Sequence, residues 1–258
     1  MNNRNLCLFF FVLLILPKLS FSDDFPTRRT VKTLTISDTD NPFVLSSDIA
    51  IDKNRNVLYV PSNRTHKIQS YDTTGKFLFD FGVDETDGKL DKIKGLWVDG
   101  AGKIFVVSSG NNQVFVFDSQ GSFLFKFKTE TYAMDVVSNS LGDIYVSIND
   151  LSNAKIMVYD SEGKYKYSLK KIPISDDKKI EFGAPVWLSI TSDDHLLVAD
   201  ALSQRIYVFD IKGKLITYFG GLGDTVGKFY SVSGVAVDNK NRIYVIQTPK
   251  QRFDDKHY

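Results

Sequence analysis

The chain has 258 residues, 43% of them hydrophobic, with 20 Phe and 12 Tyr, enough to bury the core of one large β domain or two small ones. Its formal net charge is +1, which argues against nucleic acid and anionic membrane surfaces as main partners. Its single cysteine, Cys7, excludes a disulfide framework and thiolate metal sites.

Residues 1–22 read as a secretory signal. Asn2, Asn3 and Arg4 give a polar, basic start, Leu6 to Leu16 is an apolar run too short to span a bilayer, and Pro17 breaks it. Ser20-Phe21-Ser22 puts small residues at the two positions a signal peptidase reads, so cleavage is expected after Ser22. Cleavage removes Arg4, Lys18 and Cys7, leaving a net charge of −1 and no thiol. The expected location is periplasmic or secreted, with no stable membrane span in the mature chain. Residues 23–43 form an N-terminal segment in which Val31–Ile36 alternates like an outer strand.

From residue 44 to residue 258 one pattern repeats. An aromatic residue, Asp, two residues and Gly precede a short apolar strand at Tyr71-Asp72…Gly75, Phe117-Asp118…Gly121, Tyr159-Asp160…Gly163 and Phe209-Asp210…Gly213. Each is a tight hairpin: Asp opens the turn by accepting a backbone N–H two residues on, and Gly closes it where φ must be positive. Upstream of each lies a second hairpin. Its first strands are Ile49-Ala50-Ile51, Leu96-Trp97-Val98, Met134 to Val137, Trp187 to Ile190 and Val235-Ala236-Val237; its second strands run from Leu58-Tyr59-Val60 to Ile243-Tyr244-Val245. No stretch sustains a 3.6-residue apolar period, so almost no helix is expected. Four-stranded antiparallel units recurring at this spacing predict an all-β fold, a β-propeller with five repeats visible: five blades, or an incomplete six-bladed propeller. Val31–Ile36 would complete the fifth blade, whose third strand would begin near Arg252. Lys170-Lys171 and Asp176 to Lys179 read as a solvated excursion between blades.

Three stretches carry a resemblance. Gly227-Lys228-Phe229…Gly234-Val235-Ala236-Val237-Asp238…Arg242-Ile243-Tyr244-Val245 resembles an NHL repeat, as do Leu197-Val198-Ala199-Asp200…Arg205-Ile206-Tyr207-Val208 and Gly88-Lys89-Leu90…Gly95-Leu96-Trp97-Val98-Asp99. The resemblance covers about residues 44–252 and is weak in the third repeat, where Ser138 stands in place of the usual Asp. It implies a noncatalytic propeller, acting as a monomer, that binds a protein, peptide or glycan through one loop face. It also implies an alternative, a metal-dependent lyase or lactonase-like enzyme with its site at the central channel.

The residues permit the first reading. His66 falls in a second-to-third-strand loop, His195 in a first-to-second-strand turn on the opposite face and His257 at the terminus, so the three do not converge on one zinc as in the NHL peptide-amidating lyases. Asp48 and Asp135, near the starts of first strands, are the acids that would take calcium in gluconolactonase-like propellers, without the further oxygen ligands that calcium wants. No Gly-x-Ser-x-Gly elbow or phosphate loop occurs; Gly220-Gly221-Leu222-Gly223 joins two strands. Neither catalytic nor metal residues are assigned, and no cofactor. Asp200 and Arg205 are expected to pair across their loop. The candidate ligand-binding residues are Arg64, His66, Lys94, Trp187, Arg205 and Tyr230, which lie in or beside the loops of one face; Arg, Trp and Tyr are the types that anchor interfaces. Asn63-Arg64-Thr65 fits a glycosylation acceptor.

Overall fold

The computed structural model describes residues 46–82, 88–175, 178–223 and 225–248, without the side chains of residues 173–180. The secretory signal, Val31–Ile36, the strand expected near Arg252, and His257 lie outside the described residues. The chain divides into two compact units, one spanning Ser22–Lys171 and one built on Ile172–Tyr258. No helix occurs among the described residues.

The first unit holds three four-stranded antiparallel sheets, each built from consecutive strands in meander order. The first is β1 (Ala50–Asp52), β2 (Val57–Ser62), β3 (Lys67–Asp72) and β4 (Phe77–Phe81). The second is β5 (Ile93–Val98), β6 (Ile104–Ser108), β7 (Gln113–Phe117) and β8 (Phe123–Lys128). The third is β9 (Ala133–Ser138), β10 (Ile144–Ile148), β11 (Lys155–Tyr159) and β12 (Tyr165–Leu169). In the other unit, β13 (Lys171–Ser175), whose first residue closes the preceding unit, pairs with β14 (Lys178–Glu181). A fourth full sheet follows with β15 (Pro185–Ile190), β16 (Leu196–Asp200), β17 (Arg205–Phe209) and β18 (Leu215–Gly220). Then β19 (Val232–Val237) pairs with β20 (Ile243–Gln247). The segment read as a solvated excursion is thus a hairpin, β13–β14, whose mixed Lys, Ile and Asp composition carries no period-2 signal.

Burial follows position in the sheet. The second strands β6, β10 and β16 are buried at every residue, since apolar packing covers both of their faces. The fourth strands β4, β8 and β12 are only partly buried. One core cluster joins the first two sheets through Tyr59, Ile68, Leu90, Ile93 and Phe115, and another joins the second and third through Phe105, Val114, Val136 and Val146. In the other unit Leu197, Ile206, Phe229 and Val245 share a cluster between the fourth sheet and β19–β20.

The repeated turn forms as its sequence demands. Asp118 Oδ1 accepts the backbone N–H groups of Gln120 and Ser122, each at 2.8 Å, and Gly121 takes φ 84°. The same pair of bonds recurs at Asp72, Asp160 and Asp210. A bulge sits beside each of these turns, as expected when a type I turn ends in a left-handed residue. The Thr74 hydroxyl and the Lys76 N–H hold the Asp72 carboxyl below the usual range. Turns between first and second strands use the same device. In the third sheet the acceptor is Asn139, bonded to Leu141 and Asp143 N–H, so β9 runs one residue further than a turn acceptor at Ser138 would allow. In the fourth, Thr191 Oγ1 accepts the N–H of His195 at 2.9 Å.

Candidate functional site

Within Ser22–Lys171, the loop from β2 to β3 is clamped to the next sheet. Asn63 Nδ2 donates to the Ile93 carbonyl at 3.0 Å and its Oδ1 accepts the Ile93 N–H at 2.6 Å. Ser47 Oγ donates to the same carbonyl at 2.7 Å. The His66 ring bonds the Leu90 carbonyl through Nδ1 at 2.7 Å. These contacts leave Arg64 exposed at the loop tip. Beside it opens a cleft of about 340 Å³ lined by Ser47, Asn63, Asp91, Lys92, Ile93 and Lys94. Arg64, His66 and Lys94 therefore gather on one edge between two sheets. His66 is the clamp and the two cations are the exposed groups. Asn63 spends its amide on holding the loop, which makes its role in the Asn63-Arg64-Thr65 motif structural.

The candidates in the other unit do different work. Trp187 packs against the cluster of Leu197, Ile206, Phe229 and Val245. The Arg205 guanidinium lies 5.2 Å from the centre of the Tyr218 ring. Tyr230 is exposed in the loop before β19, its N–H donated to Gln247 Oε1 at 3.0 Å. The expected Asp200–Arg205 pair does not form. Asp200 is fully buried and its two oxygens accept four backbone N–H groups, from Gly183, Ala184, Leu202 and Ser203. Those donors satisfy the carboxylate, and the guanidinium stacks on an aromatic face instead.

Asp48 and Asp135 meet around one glycine. Counting back four residues from each turn acceptor, Asp48, Gly95 and Asp135 occupy equivalent positions in three successive sheets. Asp48 Oδ2 accepts the Leu96 N–H at 2.7 Å, and a Cβ built on Gly95 would stand 2.7 Å from Asp135 Oδ1. Burial pushes the Asp48 carboxyl up to about 7 against the opposing hydrogen bonds from Ile49 and Leu96. No group of three or more His, Cys, Asp or Glu side chains placed to hold a metal occurs among the described residues.

Two residues on the loop face escape the sequence reading. Lys92 and Tyr132 stand three residues before Gly95 and Asp135, and both have left-handed backbones, φ 46° and 62°. Each carbonyl accepts an N–H from the residue following or next to a second strand's end, Ser109 to Lys92 at 3.2 Å and Asn149 to Tyr132 at 2.9 Å. Residue type alone gives no signal for a Lys or Tyr in that conformation.

Comparison with known proteins bears on the fold. A family model described as a 6-bladed beta-propeller matches residues 170–253. No curated protein matches the sequence. Among solved structures, a streptogramin B lyase is similar with a TM-score of 0.61 at 18% identity, over 81% of this chain and 64% of that one. A virginiamycin B lyase from Staphylococcus aureus is similar with a TM-score of 0.57 at 14% identity, over 78% of this chain and 63% of that one. A chain of a nidogen/laminin complex is similar with a TM-score of 0.59 at 19% identity, over 77% of this chain and 71% of that one. The chain thus spans less than two thirds of the length of either lyase. With the repeated four-stranded sheets, these similarities establish the fold: the chain is an all-β propeller of four-stranded antiparallel blades.

Proposed function

We propose that this chain is an exported propeller of the NHL type that binds a protein, peptide or glycan partner through the face carrying its second-to-third-strand loops. The observation that carries this reading is the clamped edge at Asn63 and Ile93. A loop held on both sides of its tip presents Arg64, Lys92 and Lys94 at little further ordering cost, and such preorganisation favours binding. The test is an array of peptides and glycans probed with the purified protein, wild type beside Arg64→Ala and Asn63→Ala. Retention of a defined ligand class by the wild type, lost in both variants at unchanged fold, supports the reading. Equal retention by all three proteins sinks it.

One observation favours a second reading, a lyase or lactonase-like enzyme. A carboxyl with its pKa near 7 matches general acid–base work at neutral pH, and Asp48 has one, with Asp135 close by across Gly95. Calcium is the metal such acids would take. Thermal unfolding in chelator and then in added calcium or zinc separates the two readings, because metal bound only to the folded state raises the melting temperature. The binding reading predicts no shift. A rise reversed by chelator moves the account to the two acids.

A further inference from the structure

The loop face of the Ser22–Lys171 unit also narrows the chemistry of the partner, and this step rests on the binding reading above. Arg64, Lys92 and Lys94 are exposed around the cleft, and none has an ion-pair partner among the described residues. Other cations of the unit are neutralised within it: Lys67 by Asp80 at 2.8 Å, Lys155 by Glu130 at 2.7 Å and Lys166 by Asp143 at 2.6 Å. The cleft therefore has uncompensated positive charge on a rim that its own clamp holds in place.

Backbone strain points to the same face. Lys92 and Tyr132 pay for a left-handed conformation that glycine adopts freely, at a cost on the order of 1 kcal/mol each. The carbonyl bonds they make are main-chain bonds, which any residue would supply. The fold accounts for the conformation and leaves the two side chains unexplained. Both sit at one end of neighbouring strands: Gly95 abuts the Asp135 backbone, so three residues back Lys92 and Tyr132 stand side by side in register. Tyr132 is 60% exposed, and the Asn149–Tyr132 bond brings the loop of Leu151, 81% exposed, alongside it. A cationic cleft thus borders an exposed aromatic and an exposed aliphatic side chain.

We infer that this face docks an extended acidic segment of a protein partner, a carboxylate side chain entering the cleft among Arg64, Lys92 and Lys94 and an apolar side chain resting on Tyr132. Charge complementarity selects the acid, and the Tyr132 and Leu151 surface selects a chain that alternates charge with apolar groups. Asp91 lines the same cleft. It disfavours a polymer charged at every unit, such as a sulfated glycan, and offers an acceptor to a peptide N–H.

The experiment is fluorescence anisotropy of the whole protein with a labelled peptide in which Glu alternates with Leu and Gly. Parallel arms use the same peptide with Gln in place of Glu and a heparin oligosaccharide. Variants are Arg64→Gln/Lys92→Gln/Lys94→Gln, Tyr132→Ala, and, on the opposite face, Lys53→Gln/Lys76→Gln/Lys164→Gln. The acidic peptide is expected to bind the wild type and the opposite-face variant alike. Affinity should fall by about tenfold or more in the loop-face triple and by about fivefold in Tyr132→Ala, with melting temperatures unchanged. Absence of binding, equal binding of the Gln peptide, tighter binding of heparin, or equal loss in both triple variants overturns the inference. If the array finds a neutral ligand lost on Arg64→Ala, the binding reading stands while this inference falls.

Discussion

Replacing Gly95 by Ala tests how the first three blades meet. The φ of Gly95 is outside the left-handed region, so the backbone accepts alanine, and the loss of unfolded-state freedom should stabilise the variant by about 0.4–1 kcal/mol. Space decides against it. The new Cβ would lie 2.6 Å from Asp135 Cα, 2.7 Å from Asp135 Oδ1 and 2.8 Å from the Met134 carbonyl oxygen. Two of these atoms are backbone of β9, so a strand must move, and overpacking of this kind costs about 1–3 kcal/mol. The balance is a net destabilisation of about 2 kcal/mol, or a fall of roughly 4–8 °C in melting temperature for a chain of this size. Gly100→Ala is the control: nothing lies within 4 Å of its Cβ, and its stability should stay within about 0.5 kcal/mol of wild type. Thermal unfolding by circular dichroism reads both. Gly95→Ala as stable as Gly100→Ala would refute the close approach of β5 and β9, and with it the placement of Lys92 beside Tyr132.

Two further outcomes follow from the same geometry. The Asp48 pKa, raised to about 7, means that its contribution to stability is full below the ordinary carboxylate value and is lost as pH rises through 7. Between pH 5 and 8 the wild type should lose about 1–2 kcal/mol relative to Asp48→Asn, less than the full shift because the residue keeps some exposure; parallel stability profiles in urea would contradict this. Lys92→Gly and Tyr132→Gly should each raise stability by about 1 kcal/mol by relieving left-handed strain. A loss of stability in urea titrations would show that the side chains serve the fold.

The blades were legible because two local signals agree. Period-2 apolar runs such as Val114 to Phe117 are bounded by Asp-x-x-Gly turns whose hydrogen bonds need only the residues of the turn itself. Where a turn acceptor changes type, the register slipped: Asn139 does the work assigned to Ser138. Contacts between segments distant in sequence were not legible. Asp200 takes four backbone N–H groups, two of them from Gly183 and Ala184, which no local pattern ties to it. The clamp of Asn63 on Ile93 spans 30 residues and is equally silent in the sequence. Arg64, His66 and Lys94 were found from loop position, and the cleft between them only from the packing of two sheets. The left-handed backbones of Lys92 and Tyr132 come from the way each segment enters its blade, which residue type does not encode.

The central claim is that the second-to-third-strand loop face binds. Hydrogen–deuterium exchange of the protein saturated with the ligand class retained on the array tests it most directly. The account predicts new protection in segments 63–66 and 91–94 and none in the turns of the opposite face. Protection confined to segments 52–56, 72–76 and 118–122 would contradict it and move the site to the other face.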